Sequence, residues 1–393
     1  MNILFVHDHF FKLYGGDCYS SGGLPSSVWA RYLSAFDSLS VVGRNGGMLS
    51  DKDKGYTISS LDSVSFHLLP DISNLKSLVF GNAEANKACR DLVAQHDAII
   101  ARLPSRLGSL FVKEAIKQKK PYAIEVVGCP WDAMWNYGNW KGKAFAPFAF
   151  LNLKRLISTA PYALYVTEHF LQGRYPCRSG KTTFCSNVEI PAVKDDVLSN
   201  RITKIESSGK PITFGLIGNY SSKYKGIDIA IRALALANND LPDWEFQVLG
   251  SGDSTLYKQL AYELGIDDKV KFVGSLPSGQ PVYDWLDSVD IYFQPSFQEG
   301  LPRALIEAMS RGCPSLATSI AGIPELLQSA ELVKAGDYQA LASKVVALAG
   351  DQGRLQSLAE QNFNKAKNYY KPVLDKRRTE FWRSFRDYAE GCS

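Results

Sequence analysis

Short apolar runs, each closed by polar, glycine or proline residues, alternate along this chain with longer amphipathic stretches. In the first half the runs Ile3–Val6, Leu39–Val42, Ala98–Ala101, Tyr122–Val127 and Ala163–Val166 predict strands, and Pro25–Phe36 predicts the first crossover helix. The segment Val193–Lys210 then turns polar and predicts a linker plus a short helix. Beyond it the pattern restarts. Strands are predicted at Ile212–Ile217, Glu245–Leu249, Val270–Val273, Ile291–Gln294 and Pro314–Thr318. Helices are predicted at Gly226–Asn238, Ser254–Leu264, Arg303–Arg311, Asp337–Ala349 and Gln352–Tyr370. Alternating β and α of this kind makes parallel sheets with crossover helices, and uninterrupted apolar strands suit sheets covered on both faces. The tail Val373–Tyr388 carries Phe381, Trp382, Phe385 and Tyr388 among many charges, the pattern of an amphipathic helix that needs a partner surface. The fold class expected is α/β with two such domains, residues 1–195 and 205–372, and a terminal helix from 373 to 393.

Length supports two cores, since 393 residues exceed one ordinary α/β domain. A composition of 45% hydrophobic and 21% charged residues is that of a globular protein. The formal net charge of +4 is mild for this length, so a dedicated nucleic-acid binder is not expected. Seven cysteines without a Cys-x-x-Cys pair argue against a disulfide framework or a zinc site and for a reducing compartment. The start lacks a basic leader, and no run reaches the ~18–20 apolar residues of a membrane span. A cytoplasmic protein is expected.

Candidate chemistry concentrates in the second half. In Glu299-Gly300-Leu301-Pro302-Arg303 a strand ends, a loop follows and a helix opens. A helix N-terminus presents N–H groups and partial positive charge, which suits a diphosphate. Gly300 permits a close backbone approach. Glu299 can accept from sugar hydroxyls, and Glu307, two turns further, from a ribose. Taken alone, such a Glu pair would more often be a cap and a surface charge. Upstream, a strand leads through Gly218, Asn219, Lys223 and Lys225 into a helix, and mobile lysine charges suit pyrophosphate. In the first half Gly15-Gly16 and Gly22-Gly23 lie between a strand and a helix, a setting for a phosphate cradle or for a plain flexible loop.

The run from Glu299 to Pro314 resembles the signature of the retaining glycosyltransferases of family 4, a GT-B-fold family. The likeness rests on Glu299, Gly300, Pro302, Glu307, Ala308, Met309, Gly312 and Pro314, with Ala321-Gly322-Ile323-Pro324-Glu325 as a following step. Gly218 to Asp228, Ser21 to Pro25, and the Val248–Asp253 and Val270–Leu276 steps are similar to further family motifs. The resemblance implies two Rossmann-like domains facing across a cleft, with the C-terminal helix crossing back to the first. It implies transfer of a hexosyl unit from a nucleoside diphosphate sugar to an acceptor hydroxyl, with retention and without a cofactor or divalent metal. Glu299 would contact the donor sugar, Glu307 the ribose, and the Gly300 and Leu301 amides with Lys225 the diphosphate. Val273 and Leu276 would meet the base, and Gly22 and Gly23 would lie near the phosphate and acceptor. Asn219 stands where the family has arginine, and Lys223 is the candidate replacement for that charge.

The family also places a histidine after the strand at Tyr122–Val127, where this chain has Gly128-Cys129-Pro130; His169 is a candidate substitute or a helix-terminal residue. His7-Asp8-His9 lacks a third metal ligand, which favours a structural or hydroxyl-binding role. The aromatic stretch Trp131, Trp135, Tyr137 and Trp140 with Lys141 and Lys143 reads first as core packing and second as an acceptor or lipid contact. The expected setting is bacterial polysaccharide or glycoconjugate assembly, with a glycan or lipid-linked glycan as acceptor and peripheral contact at the inner face of the membrane. Two other readings share the pattern: a nucleotide-sugar epimerase or hydrolase, and a catalytically silent sugar-nucleotide-binding subunit.

Overall fold

The computed structural model describes residues 1–50, 53, 55–70, 83–137, 140–207 and 211–392. The end of the expected linker, 208–210, and the side chain of Tyr137 lie outside what is described. The chain divides into two compact units, Met1–Cys185 with Asp375–Ser393, and Ser186–Leu374.

In the first unit β1 (Asn2–Tyr14), β2 (Asp17–Ser20), β3 (Ser38–Met48), β4 (Thr57–Ile58), β5 (Val64–Leu69), β6 (Ala98–Leu103), β7 (Tyr122–Val126), β8 (Tyr162–Tyr165) and β9 (Lys181–Phe184) form one sheet. Its parallel part runs β5-β3-β1-β6-β7-β8-β9, and β2 and β4 extend it antiparallel from the far end of β1. The apolar runs at Ile3, Leu39, Ala98, Tyr122 and Ala163 are its centre, and Leu4, Ile99, Ala101, Ile124 and Ala163 are fully buried. β1 is much longer than Ile3–Val6 predicts. A bulge between Val6 and Phe10 lets the polar His7–His9 segment pass before pairing with β3 resumes. Gly15 and Gly16, at φ 59° and 91°, are the two-residue turn of the β1–β2 hairpin, which needs left-handed backbone at both positions. The expected helix Pro25–Phe36 is a 3-10 turn, Ser26–Val28, followed by one short turn, Ala30–Leu33, with Pro25 as the cap rather than inside the first turn.

The final helix, Lys371–Glu390, packs its aromatic face onto this first unit. Trp382 and Phe385 are fully buried; Tyr32 lies 5.8 Å from Trp382, and Tyr162 5.3 Å from Phe385. The partner surface that the sequence called for is therefore the start of β8, at Tyr162, and the Ala30–Leu33 turn.

In the second unit β10 (Ile212–Ile217), β11 (Trp244–Leu249), β12 (Val270–Gly274), β13 (Ile291–Gln294), β14 (Ser315–Thr318) and β15 (Leu332–Val333) form a wholly parallel sheet in the order β12-β11-β10-β13-β14-β15. This is a doubly wound, Rossmann-like order. Its direction reverses between β10 and β13, and ligands bind at the carboxyl ends of strands at such a reversal. The segment expected as linker plus short helix carries the helix Asp196–Glu206. Its Arg201 is buried and donates to the carbonyls of Arg311, Val289 and Leu286, which fastens the helix to this unit. Lys371 N–H donates to Ile190 O at 2.8 Å and closes the unit at its two ends.

The first unit buries Arg44, Arg102, Glu125 and Arg378, and Arg102 and Glu125 pair directly. Arg102 Nε donates to Glu125 Oε2 at 2.8 Å, and Tyr32 OH donates to Glu125 Oε1 at 2.8 Å. Burial pushes the Glu125 carboxyl up, but the Arg102 charge and these hydrogen bonds outweigh it and hold it below its ordinary 4.5. Glu125→Gln leaves Arg102 buried without its counter-charge and should lower stability by about 3–5 kcal/mol near neutral pH. A depressed carboxyl contributes stability that is present above its unfolded pKa and lost as pH falls through the folded one. Urea unfolding at stepped pH should therefore show the gap between parent and variant closing below the ordinary carboxylate range, and a constant gap would exclude this account.

Candidate active site

The loops that follow β10 and β13 meet at the reversal of the second sheet. The first of them, after Ile217, turns through Lys223–Lys225 into the helix Ile227–Ala237. Gly226 stands at φ 69°, and a Cβ there would meet Pro295 O at 2.1 Å, so the position takes glycine on both counts. Phe297 N–H donates to Tyr224 O at 2.7 Å. These two contacts lock the lysine turn against the loop that carries Glu299.

Glu299 gathers three donors on one oxygen. Lys225 Nζ lies 2.7 Å from Oε1, and Gln294 Nε2 and Ser296 Oγ each lie 2.8 Å from it. Behind them Tyr292 OH donates to Gln294 Oε1 at 3.0 Å, and Ser296 O accepts from Thr318 Oγ1 at 2.6 Å. Tyr292, Gln294, Ser296 and Thr318 are all buried. The glutamate is thus fixed from below while its side chain stays 10% exposed. Lys225, 18% exposed, places a cation between this carboxylate and any anion bound in front of it.

Beyond Glu299, the helix Arg303–Ser310 opens with Pro302 as its cap residue, one position earlier than expected for that proline. Gly300 is exposed, and a Cβ on it would meet open space, so the backbone here faces a free volume. A helix leaves its first N–H groups without intrahelical partners, which makes this end suited to an anion. Glu307 lies within the helix, 3.7 Å from Arg303. Burial raises its pKa, and Arg303 offsets part of that rise. Burial raises the Tyr292 hydroxyl well above its ordinary value, and the Glu299 and Glu307 charges add to the rise.

The other expected residues line the same strand ends. Asn219 is exposed; its Oδ1 accepts from Ser221 N–H at 2.8 Å and its amide reaches Ser251 Oγ at 3.3 Å, so it shapes the loop. Lys223 is exposed on the turn that holds Lys225. Val273, 41% exposed, and Leu276, 37% exposed, project at the end of edge strand β12. Gly274 N–H between them donates to Tyr220 OH, which in turn donates to Val248 O at 2.9 Å, tying the three loops together. Sequence reasoning missed Tyr292, Gln294 and Ser296. A signal was present, because glutamine at the end of the otherwise apolar Ile291–Gln294 run has no reason to be there unless it is bonded.

In the first unit, Gly22 and Gly23 form a turn closed by Gly22 N–H donating to Ser20 O at 3.0 Å. Ser20 Oγ accepts from Leu24 N–H at 3.0 Å and stands 2.7 Å from His9 Nε2. The hydroxyl can serve as donor or acceptor toward Nε2, since a serine oxygen accepts at two lone pairs. Burial, helped by Arg102, lowers the pKa of His9, and pushes His7 down to about 4, so both rings are neutral at pH 7. Asp8 accepts from Leu107 N–H and pairs with Arg44, a structural role. Among the described residues no His, Cys, Asp or Glu cluster could hold a metal ion. Cys129 lies buried, 3.1 Å from Tyr175 OH, and His169 is exposed at the cap of the helix Phe170–Arg174.

Comparison with known proteins agrees with this geometry. Residues 211–351 match the family model described as glycosyl transferases group 1. Protein CapJ of Staphylococcus aureus is 30% identical over 348 residues, covering 88% of this chain and 85% of CapJ. The amylovoran biosynthesis glycosyltransferase AmsK of Erwinia amylovora is 35% identical over 135 residues, covering 32% of this chain and 33% of AmsK. The fold is similar to that of Anabaena Alr3699/HepE in complex with UDP, with a TM-score of 0.66 at 16% identity over 98% of this chain and 100% of that one. The chain belongs to the glycosyltransferase group 1 family, and it is a transferase enzyme with the two Rossmann-like domains of the GT-B fold.

Proposed function

We propose that this enzyme moves a hexosyl unit from a nucleoside diphosphate sugar to an acceptor hydroxyl, with retention and without a divalent metal. The observation that carries the reading is the Lys225–Glu299 pair at the strand reversal beside the start of the helix Arg303–Ser310. Lys225 and the Gly300 and Leu301 amides stabilise the charge that develops on the leaving diphosphate. Glu299 holds the sugar hydroxyls and Glu307 the ribose, while Lys223 adds the positive charge that Asn219 does not supply. Val273 and Leu276 offer apolar surface to the base. On the acceptor side the neutral His9 beside Gly23 is better placed than the exposed His169 to bind a hydroxyl. The names of AmsK and of a Salmonella relative, a putative colanic acid biosynthesis glycosyltransferase, point to surface polysaccharide assembly, with a glycan or lipid-linked glycan as acceptor.

Thermal unfolding against UDP-, GDP- and ADP-sugars tests the donor. A ligand at ~100 times its dissociation constant stabilises by about 2.7 kcal/mol, so the matching nucleotide should raise the midpoint, and EDTA should leave the shift unchanged. UDP-glucose is the first probe, since Alr3699/HepE is known in complex with it. A shift abolished by EDTA would overturn the metal-free reading.

Lys225→Met should lower transfer by about 10²–10³-fold. Glu299→Gln should keep the nucleotide-induced shift and lose transfer. Sugar released without an acceptor would instead identify a hydrolase, and a parent protein that binds nucleotide without turnover would identify a silent subunit.

Glu307 accepts ribose hydroxyls best as a carboxylate, and its pKa is raised. Affinity for the sugar nucleotide should hold above that pKa and fall as pH drops through it, at higher pH than an ordinary glutamate would cause. Calorimetric titrations at stepped pH, with Glu307→Gln flat over the same range, check the assignment.

A further inference from the structure

The helix Trp140–Ser158 of the first unit buries only part of its circumference. Trp140 is 74% exposed, and Phe148 and Leu151 are each 63% exposed. With about 100° between successive residues, Trp140, Ala144, Pro147, Phe148 and Leu151 share a sector of about 100°. Lys143 and Lys154 border it on one side and Lys141 on the other, and Arg155 closes it at its C-terminal end. The opposite face, with Ala146, Leu153, Leu156 and Ile157, is the one packed into the unit. An exposed face of this size and aromatic content is unusual for a surface that meets only water.

Charge identifies the occupant. The chain has 40 Asp and Glu among 393 residues, yet none falls between Ala133 and Thr167, while Lys141, Lys143, Lys154 and Arg155 do. Apolar and aromatic residues at the centre of an exposed helix face, basic residues along its borders and no acidic group are what an anionic lipid surface complements. Tryptophan suits the headgroup level, and lysine stems lie along apolar surface with their ammonium groups outward. Lys143 Nζ already stands 5.8 Å from the ring centre of Trp135, which is 49% exposed and stacks on Trp131 at 5.4 Å. No helix among the described residues is long and apolar enough to cross a membrane, so this one would lie along the surface.

We infer that the helix Trp140–Ser158 docks the enzyme on an anionic membrane, inserting Trp140, Phe148 and Leu151 with its lysines at the phosphate level. The inference deepens the proposed function and rests on it for its purpose, bringing a lipid-linked acceptor to the first unit. The binding itself is measurable without any reaction.

Co-sedimentation of the full chain with phosphatidylcholine vesicles, with and without about one third phosphatidylglycerol, tests it. Binding should be at least about tenfold stronger on anionic vesicles and weaken with salt. Phe148→Glu with Leu151→Glu, and separately Lys141→Glu with Lys143→Glu, should each reduce it about tenfold or more, with circular dichroism unchanged. Equal binding to neutral vesicles, undiminished binding by both variants, or no binding by the parent would overturn the inference. So would a parent dimer that the Phe148→Glu, Leu151→Glu variant dissociates in the absence of lipid, since the face would then belong to a second copy. Nucleotide-induced stabilisation of the same samples reports on the active site alone. Vesicle binding with no nucleotide response would therefore sink the proposed donor site and leave the docking surface standing, and the converse result would do the reverse.

Discussion

A half-sheltered carboxylate at the carboxyl end of a parallel sheet has to be compensated, and Glu299 sets the local structure through that requirement. Its Oε1 takes a cation from the loop after β10 and two neutral donors from the strand and loop on its own side. To bring Lys225 there, the lysine turn must pass directly against Pro295, which only a glycine at 226 in left-handed backbone allows. To keep Gln294 aimed at Glu299, its carbonyl oxygen is held by Tyr292. The glycine, the lysine, the buried glutamine and the buried tyrosine are consequences of one charge. In the proposed function, the same pairing would ease the siting of a glutamate beside a diphosphate, because Lys225 offsets the carboxylate charge.

The first unit meets the same electrostatic problem with the opposite sign. Arg102, at the end of β6, is one of several buried charges there, and Glu125 and Tyr32 neutralise and orient it. Because that cluster is closed on itself, Arg102 acts at a distance: its charge joins burial in keeping His7 and His9 neutral. A neutral imidazole can offer or accept a hydrogen bond without adding charge. Both units thus hold a compensated ion pair, and the first adds two neutral histidines near it.

Much of the second unit was legible in the sequence, since its strands are uninterrupted apolar runs and its helices carry ordinary start signals. The strand at Ile291–Gln294 and the helix from Arg303 fall where the pattern places them. The first unit was less legible for a physical reason. β1 continues through His7, Asp8 and His9 because a bulge and the hairpin at Gly15-Gly16 supply pairing that no apolar period announces. The turn after Pro25 was overread as a full helix, although Ser26 and Ser27 favour local side-chain hydrogen bonds over helix continuation. Of the site, Glu299, Lys225 and Glu307 could be named from spacing and family likeness. Gln294 left a signal as the polar end of an apolar run, but Tyr292 and Ser296 did not, because their roles depend on contacts with Gln294 and Thr318 that spacing does not reveal.

That difference has a consequence for where substrate identity is encoded. In the proposed function, phosphate and ribose would be met by a helix start, a glycine-lysine turn and Glu307, parts that do not depend on which sugar follows. Asn219 and the Gly128-Cys129-Pro130 step, which differ from the family pattern, and Gln294 are held by neighbouring groups. Asn219 is spent on its own loop, Gln294 on Glu299, and Cys129 on Tyr175 and Arg174. Selectivity for a particular sugar or acceptor must then come from how these neighbours set the position of a few exposed groups. A glutamate oxygen fixed by three donors has little freedom to reorient, so a partner of the wrong configuration would leave a sheltered lone pair unfilled. Under the proposed donor role, the rigidity around Glu299 is therefore what would distinguish one sugar from another.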